Sequence, residues 1–372
     1  MPRRLSAEHV AALDGLRGVA ILLVLLHGFN LIQAEDGVAH VADLLLDLGW
    51  IGVQLFFVLS GFLISGILLD TRASPTYYSS FFTRRALRIL PLYYGVLLVA
   101  FVILPLIVAM PPGHGQHQLW LWIYLANFAA PLGSGEPAFT HFWSLCVEEQ
   151  FYLIWPFLIR RAGQRGIAVI SALLVFVAIA SRLYLRQRFG EPIGHEVVYD
   201  FTPCRMDALA IGALAAVLVR SDRGAHWIAR IGGAGLAASG LALLLAALVA
   251  GHLNRIGSGM QTFGYSVIAL GFAAILLGAL AREGVPARGL SWTPLRRCGL
   301  YSYGMYVFYA PLHLFVGLPL MARLGRAPTF IEAIAYEVVA IAVTFVIAAI
   351  SYHVYELRFL ALKARLAPMP AT

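Results

Sequence analysis

Charge is scarce in this chain of 372 residues, where Asp, Glu, Lys and Arg make up 12% against 60% hydrophobic residues and the mean hydropathy is +0.80. A soluble globular domain carries about a quarter charged residues, so a water-soluble enzyme fold is excluded. Cysteine is nearly absent too. Cys146, Cys204 and Cys298 are odd in number and far apart, which excludes a disulfide framework. There is no GxGxxG segment, no phosphate loop, no metal-ligand spacing and no internal repeat, so the common signatures of nucleotide, metal and inverted-repeat transport sites are missing. No polar stretch is long enough to form a separate soluble domain.

What the chain has in abundance is apolar runs of the roughly 17 to 25 residues that cross a bilayer. The pattern predicts an all-α, polytopic membrane bundle of about ten spans, at 14–34, 49–69, 88–110, 143–160, 167–186, 206–220, 228–250, 262–281, 299–320 and 331–355. One membrane domain covers 1–372, with its core over about 10–356 and a short tail over 357–372. The apolar segment 119–131, with Trp120 and Trp122, is too short to span and reads as an interfacial or re-entrant helix. With the N-terminus inside, 20 of the 27 Arg and Lys fall on the inner side, which places both termini in the cytoplasm. The net charge of +8 is then a topology signal and carries no expectation of nucleic-acid binding. Arg3 and Arg4 before an apolar run resemble a leader, but the run holds the most informative polar residues, so an uncleaved first helix is expected.

The foremost of those residues is His27, ten residues past Arg17 inside the first apolar run. At 1.5 Å per residue the two are about 15 Å apart along a helix, which puts Arg17 near the inner surface and His27 near mid-depth. An ionisable group at that depth faces a protein interior or a wet cavity and serves a pathway or a reaction. In the second run, Ser60, Gly61, Ser65 and Gly66 either pack helices closely or make room beside His27 for a thin ligand. Arg85 and Arg88, three apart, share a helical face suited to phosphates, although basic residues at an inner interface also set orientation alone.

The fourth span opens on His141-Phe-Trp143-Ser144-Leu-Cys-Val-Glu148-Glu149-Gln-Phe-Tyr152. Ser144, Glu148 and Tyr152 form one stripe, with Glu149 about 100° away. Glu148 is a candidate to orient an imidazole and stabilise its cation, while surface anchoring explains Glu149 equally well. Arg205 and Asp207 are too close in sequence to face each other on a helix, so each needs another partner, whether a polar acceptor or an interfacial ion pair. Tyr301 to Tyr309 reads as an aromatic groove or an interfacial belt.

Taken in order, these segments resemble the acyltransferase-3 family of integral-membrane O-acyltransferases. The carriers are Leu13-Asp-Gly-Leu-Arg17-Gly with its helix histidine, Phe56-Phe-Val-Leu-Ser60-Gly-Phe-Leu-Ile64, Arg85-x-x-Arg88, Trp143-Ser-Leu-x-x-Glu148-Glu149-Gln-Phe-Tyr152, and Arg205-x-Asp207. The resemblance implies transfer of an acyl group, commonly acetyl, from cytoplasmic acyl-coenzyme A to a hydroxyl of a carbohydrate or a hydrophobic metabolite, in a bacterial-type inner membrane. Acyl-coenzyme A is then a co-substrate, with no tightly bound cofactor and no metal. By the same resemblance Arg17, Arg85 and Arg88 would bind the donor's phosphates and His27 would be catalytic; Ser60 is a further candidate on the donor side, and Glu148 and Glu149 are candidates beside His27. Trp143, Tyr152, Arg205 and Asp207 would serve the acceptor. An envelope or exported saccharide is the first acceptor, a macrolide-like metabolite the second, and a transporter or lipid-binding scaffold the rival class.

The chain departs from the family's pattern in three places. The family commonly spaces the arginine and histidine of the first helix eleven residues apart, whereas ten puts Arg17 and His27 about 80° apart around the axis. Tyr309 stands where many relatives carry histidine, and Arg358 where a proline is common. The chain also stops soon after its last span, which points to a stand-alone form without the extracytoplasmic hydrolase-like domain of many relatives.

Overall fold

The computed structural model describes residues 11–251, 254–280 and 285–367. Among them there is no β-strand, and nine helical segments are long and apolar enough to cross a membrane. The helices of eight or more residues are α1 (Ala11–Phe29), α2 (Gly37–Asp47), α3 (Ile51–Asp70), α4 (Tyr77–Leu98), α5 (Trp143–Phe189), α6 (Ile193–Asp200), α7 (Thr202–Arg220), α8 (Asp222–Ala250), α9 (Tyr265–Leu280), α10 (Thr293–Leu312), α11 (Phe330–Ser351) and α12 (Leu357–Leu366). The spans expected at 143–160 and 167–186 are the two arms of α5. They meet at Gly163, whose φ of 64° lies in the left-handed region that glycine enters with little strain.

Helix α4 starts at Tyr77, eleven residues before the apolar run that marked it, because its first turns carry Arg84, Arg85 and Arg88. Helix α2 has no counterpart among the expected spans. It is a surface helix with no buried residue, exposing Val38, Val41 and Leu45, and too short to cross a bilayer. The segment 119–131 forms two single-turn helices, Leu119–Trp122 and Ala126–Ala129, as its length required.

The chain divides into two compact units, each drawn from three separated stretches. Unit 1 comprises Met1–Val24, Leu48–Asp70 and Gln150–Leu300. Its α3 and α7 touch backbone to backbone, because a Cβ on Gly61 would fall on the Leu209 carbonyl and one on Gly212 on the Val58 carbonyl. Small residues allow such an approach between apolar helices, where the hydrophobic effect gives no net drive. Ser65 accepts a hydrogen bond from the Trp155 indole at 2.7 Å, and Gly66 lies under the Arg220 guanidinium. Gly61, Ser65 and Gly66 are therefore used in packing, one of the two roles expected of them.

Unit 2 comprises Leu25–Asp47, Thr71–Glu149 and Tyr301–Thr372. The connection between α4 and α5 is pinned here by side chains. The Tyr93 hydroxyl donates to the Leu121 carbonyl at 2.8 Å and the Tyr94 hydroxyl to the Trp122 carbonyl at 3.1 Å, while Glu136 accepts from the amides of Gly115 and His117. Tyr124, at a φ of 56°, stacks on Tyr93 with ring centroids 4.2 Å apart, and burial pushes its phenol above the ordinary range. Helix α11 begins on a capping box in which the Thr329 hydroxyl and the Glu332 carboxylate satisfy each other's backbone amides.

Candidate active site

His27 stands in the last turn of α1, two residues from its end at Phe29. The reading that put it mid-way along a longer span is corrected here, and the cause is Asn30. Its side chain accepts from the Ile32 amide at 2.9 Å, an Asx turn that competes with the helix, and donates to Asp43 at 2.6 Å. Asp43 and Asp47 lie four apart on one face of α2. Asp47 therefore meets the residue one turn back on α1, with its Oδ1 3.0 Å from His27 Nδ1, an ion-pair contact off the line of a hydrogen bond. The imidazole is 31% exposed and the carboxylate 50%.

Gly28 fixes what packs beside it. A Cβ there would lie 2.5 Å from the Tyr309 ring, so only hydrogen lets α10 close on the end of α1. On its other side Tyr309 packs against the imidazole of His141, with ring centroids 4.7 Å apart. His141 then meets Phe142 at 4.7 Å, Phe142 meets Tyr93 at 5.0 Å, and Tyr93 lies five residues, roughly 7.5 Å, along α4 from Arg88. A wall of rings thus runs from the basic end of α4 to the backbone beside His27. Trp143, buried, opens α5 next to it, and Ser144 Oγ meets the Tyr306 hydroxyl at 2.6 Å.

At the basic end, the charges of Arg84, Arg85 and Arg88 all act on Lys363 of α12. Arg84 also donates to the Ala367 carbonyl at 2.8 Å. Glu149 interacts with Arg85 and Glu148, and Glu356 with Arg88. Four cations face three carboxylates here, Glu148, Glu149 and Glu356, which leaves the mouth net positive and fit for a polyanion. Glu149 is a counter-ion to this cluster, and the carboxylate at His27 is Asp47.

The remaining expected residues lie in unit 1: Arg17, Ser60, Tyr152, Arg205 and Asp207. Asp207 takes Arg182 Nη1 at 2.8 Å and the Ser266 hydroxyl at 2.6 Å, and Arg182 also donates to the Cys204 carbonyl at 3.0 Å. Both charges are essentially sealed from solvent, at 1% and 0% exposure. The partner that spacing demanded for Asp207 is an internal guanidinium, that of Arg182. Arg205, also fully buried, lies over the rings of Tyr265 at 4.4 Å and Tyr199 at 5.0 Å, a cation–π site. Tyr152 is buried beside Phe151, and Ser60 is half-buried on α3.

A family model described as an acyltransferase domain matches residues 10–353, nearly the whole chain. The chain belongs to this acyltransferase family. It is 29% identical over 370 residues to the putative peptidoglycan O-acetyltransferase YrhL of Bacillus subtilis, covering 94% of this chain and 54% of that one. It is 27% identical over 371 residues to the peptidoglycan O-acetyltransferase OatA of Listeria monocytogenes, covering 95% and 56%, and 25% identical over 379 residues to the O-acetyltransferase OatA of Staphylococcus aureus, covering 94% and 57%. The chain spans about half the length of these curated relatives. No solved structure matches it.

Within this acyltransferase domain, three residues of the candidate site carried no assigned role in the sequence. Asp47 sits on a helix too short and too polar to register as a span, although its four-residue spacing from Asp43 is the mark of a shared face. Lys363 lies past the last span, more than 270 residues from the arginines it joins. His141 was visible in the segment that opens α5, but nothing in the linear pattern tied it to Tyr309.

Proposed function

We propose that this chain is a membrane O-acyltransferase that moves an acyl group, acetyl in the first instance, from acyl-coenzyme A to a hydroxyl of a cell-envelope saccharide. The observation that carries the reading is the His27–Asp47 contact, in which the carboxylate stands at Nδ1 of a neutral imidazole and leaves Nε2 as the ring atom able to take a proton. Family membership and the names of the peptidoglycan-acetylating relatives support the reaction class and the acceptor. The coenzyme's phosphates dock on Arg85, Arg88 and Lys363, at a mouth on the cytoplasmic side, and its long arm follows the ring wall toward His27. Nε2 removes the proton of the acceptor hydroxyl while its oxygen attacks the thioester carbonyl, and the departing thiolate takes that proton back as a thiol. Asp47 stabilises the imidazolium formed between the two transfers.

The test is transfer of label. Membranes containing the chain, given acetyl-labelled acetyl-coenzyme A and a chitooligosaccharide, should yield an O-acetylated sugar, and a failure to label any hydroxyl acceptor would overturn the proposal. In that assay Asp47→Asn should lower kcat about tenfold and leave KM for acetyl-coenzyme A unchanged. The loss falls far short of the ~10⁴ seen for a fully buried triad carboxylate, because a half-exposed carboxylate is screened by water. An unchanged kcat would remove Asp47 from the mechanism.

A further inference from the structure

The chemistry of His141, beside the proposed reaction centre, is left unused by that mechanism. It is 6% exposed, and neither ring nitrogen reaches a partner at hydrogen-bond geometry. Buried polar atoms are paired in the great majority of cases, so a buried imidazole lacking both partners is half of an interaction. The neighbouring hydroxyls do not complete it. The Tyr306 hydroxyl donates to the His141 main-chain carbonyl at 2.8 Å, and Ser144 Oγ meets that same hydroxyl at 2.6 Å. The rings of Phe142, Tyr306 and Tyr309 hold the imidazole in place.

The backbones of Tyr306 and Val307 face the ring. Pro311, inside α10, has no N–H, so the Val307 carbonyl four residues before it lacks its helical partner. A neutral imidazole has one N–H and one lone-pair nitrogen. The freed Val307 carbonyl is the natural acceptor for the N–H, which sets the tautomer and leaves the other nitrogen needing an O–H donor. Tyr309 separates this imidazole from Gly28, next to His27, by the width of a single ring.

We propose that the lone-pair nitrogen of His141 accepts a hydrogen bond from a second hydroxyl of the acceptor, neighbouring the one that His27 deprotonates, and so selects polyhydroxylated acceptors and the position acylated. The inference rests on the acyl-transfer reading above. It requires an acceptor with two hydroxyls within a few ångströms, as sugars present and simple alcohols do not. No covalent step is assigned to His141, which positions the acceptor.

The experiment compares a chitooligosaccharide with its set of monodeoxy analogues, using labelled acetyl-coenzyme A and the full chain in membranes. The parent should prefer the intact sugar over one particular deoxy analogue by about 10–100-fold in kcat/KM, since that analogue leaves the nitrogen unpaired. His141→Phe should erase this preference and leave KM for acetyl-coenzyme A unchanged. His141→Gln, which keeps an acceptor oxygen, should restore part of it. A His141→Phe variant that lowers transfer to every acceptor equally, or retains the preference, would overturn the proposal. If the parent labels no sugar while His27→Ala behaves identically, the underlying reading fails instead.

Discussion

Replacing His27 by alanine is expected to lower kcat for acyl transfer by roughly 10²- to 10⁴-fold, the span that a positioned general base contributes. KM for acetyl-coenzyme A should stay within a few-fold of the parent, because the charges of Arg85, Arg88 and Lys363, proposed to hold its phosphates, sit at the other end of the ring wall. The fold should tolerate the change. The imidazole is about one-third exposed, and the tight contact at this end of α1 is made by Gly28 against Tyr309. Initial rates over a matrix of donor and acceptor concentrations separate the two constants, and a protease-protection profile checks the fold. A variant that kept its kcat would show that the proton is taken elsewhere. One that kept kcat and lost donor affinity would move His27 from catalysis to binding.

That expectation depends on a site only partly legible in the sequence. Length and apolarity set the spans, since a run of about 20 apolar residues has few alternatives in a bilayer. Hydropathy also separated 143–160 from 167–186, and the structure adds that one glycine bends a single helix between them. The polar first turns of α4 were lost to the same criterion, because Arg84, Arg85 and Arg88 lower the mean hydropathy of helical turns that continue unbroken into the apolar run. His27 was legible as an ionisable group in an apolar run, but its place at a helix end was not, since Asn30 stops α1 through a local side-chain turn that leaves hydropathy unchanged. Its partner was legible as a kind of group and not as a residue. The sequence points to a carboxylate and to Glu148 for it, whereas the structure brings Asp47, from a connecting stretch, to His27. The functional residues of unit 2 come from stretches separated by other parts of the chain, so nothing in their spacing could join them.

The ion pair in unit 1 makes the opposite case, a charge pair whose largest effect is on stability. Arg182→Leu should destabilise the protein by roughly 3–5 kcal/mol, because it leaves Asp207 at 0% exposure without the guanidinium that pairs with it, held by the Ser266 hydroxyl and the Ala208 amide. Arg182 also satisfies the Cys204 carbonyl and reaches the Ser266 hydroxyl, so three groups lose a donor at once. The double variant Arg182→Met with Asp207→Leu should recover most of that loss, since a buried pair replaced by apolar side chains of similar volume is often near neutral. Thermal unfolding in a mild detergent, followed by the fluorescence of the buried tryptophans, gives the order: parent and double variant close together, single variant well below. The same double variant decides the role of Asp207. If it is stable and transfers acyl groups with an unchanged KM for the acceptor, the pair is scaffold. If it is stable and KM for the acceptor rises, Asp207 reaches substrate despite its burial, and the assignment of Arg182 as its partner in the working enzyme would have to be revised.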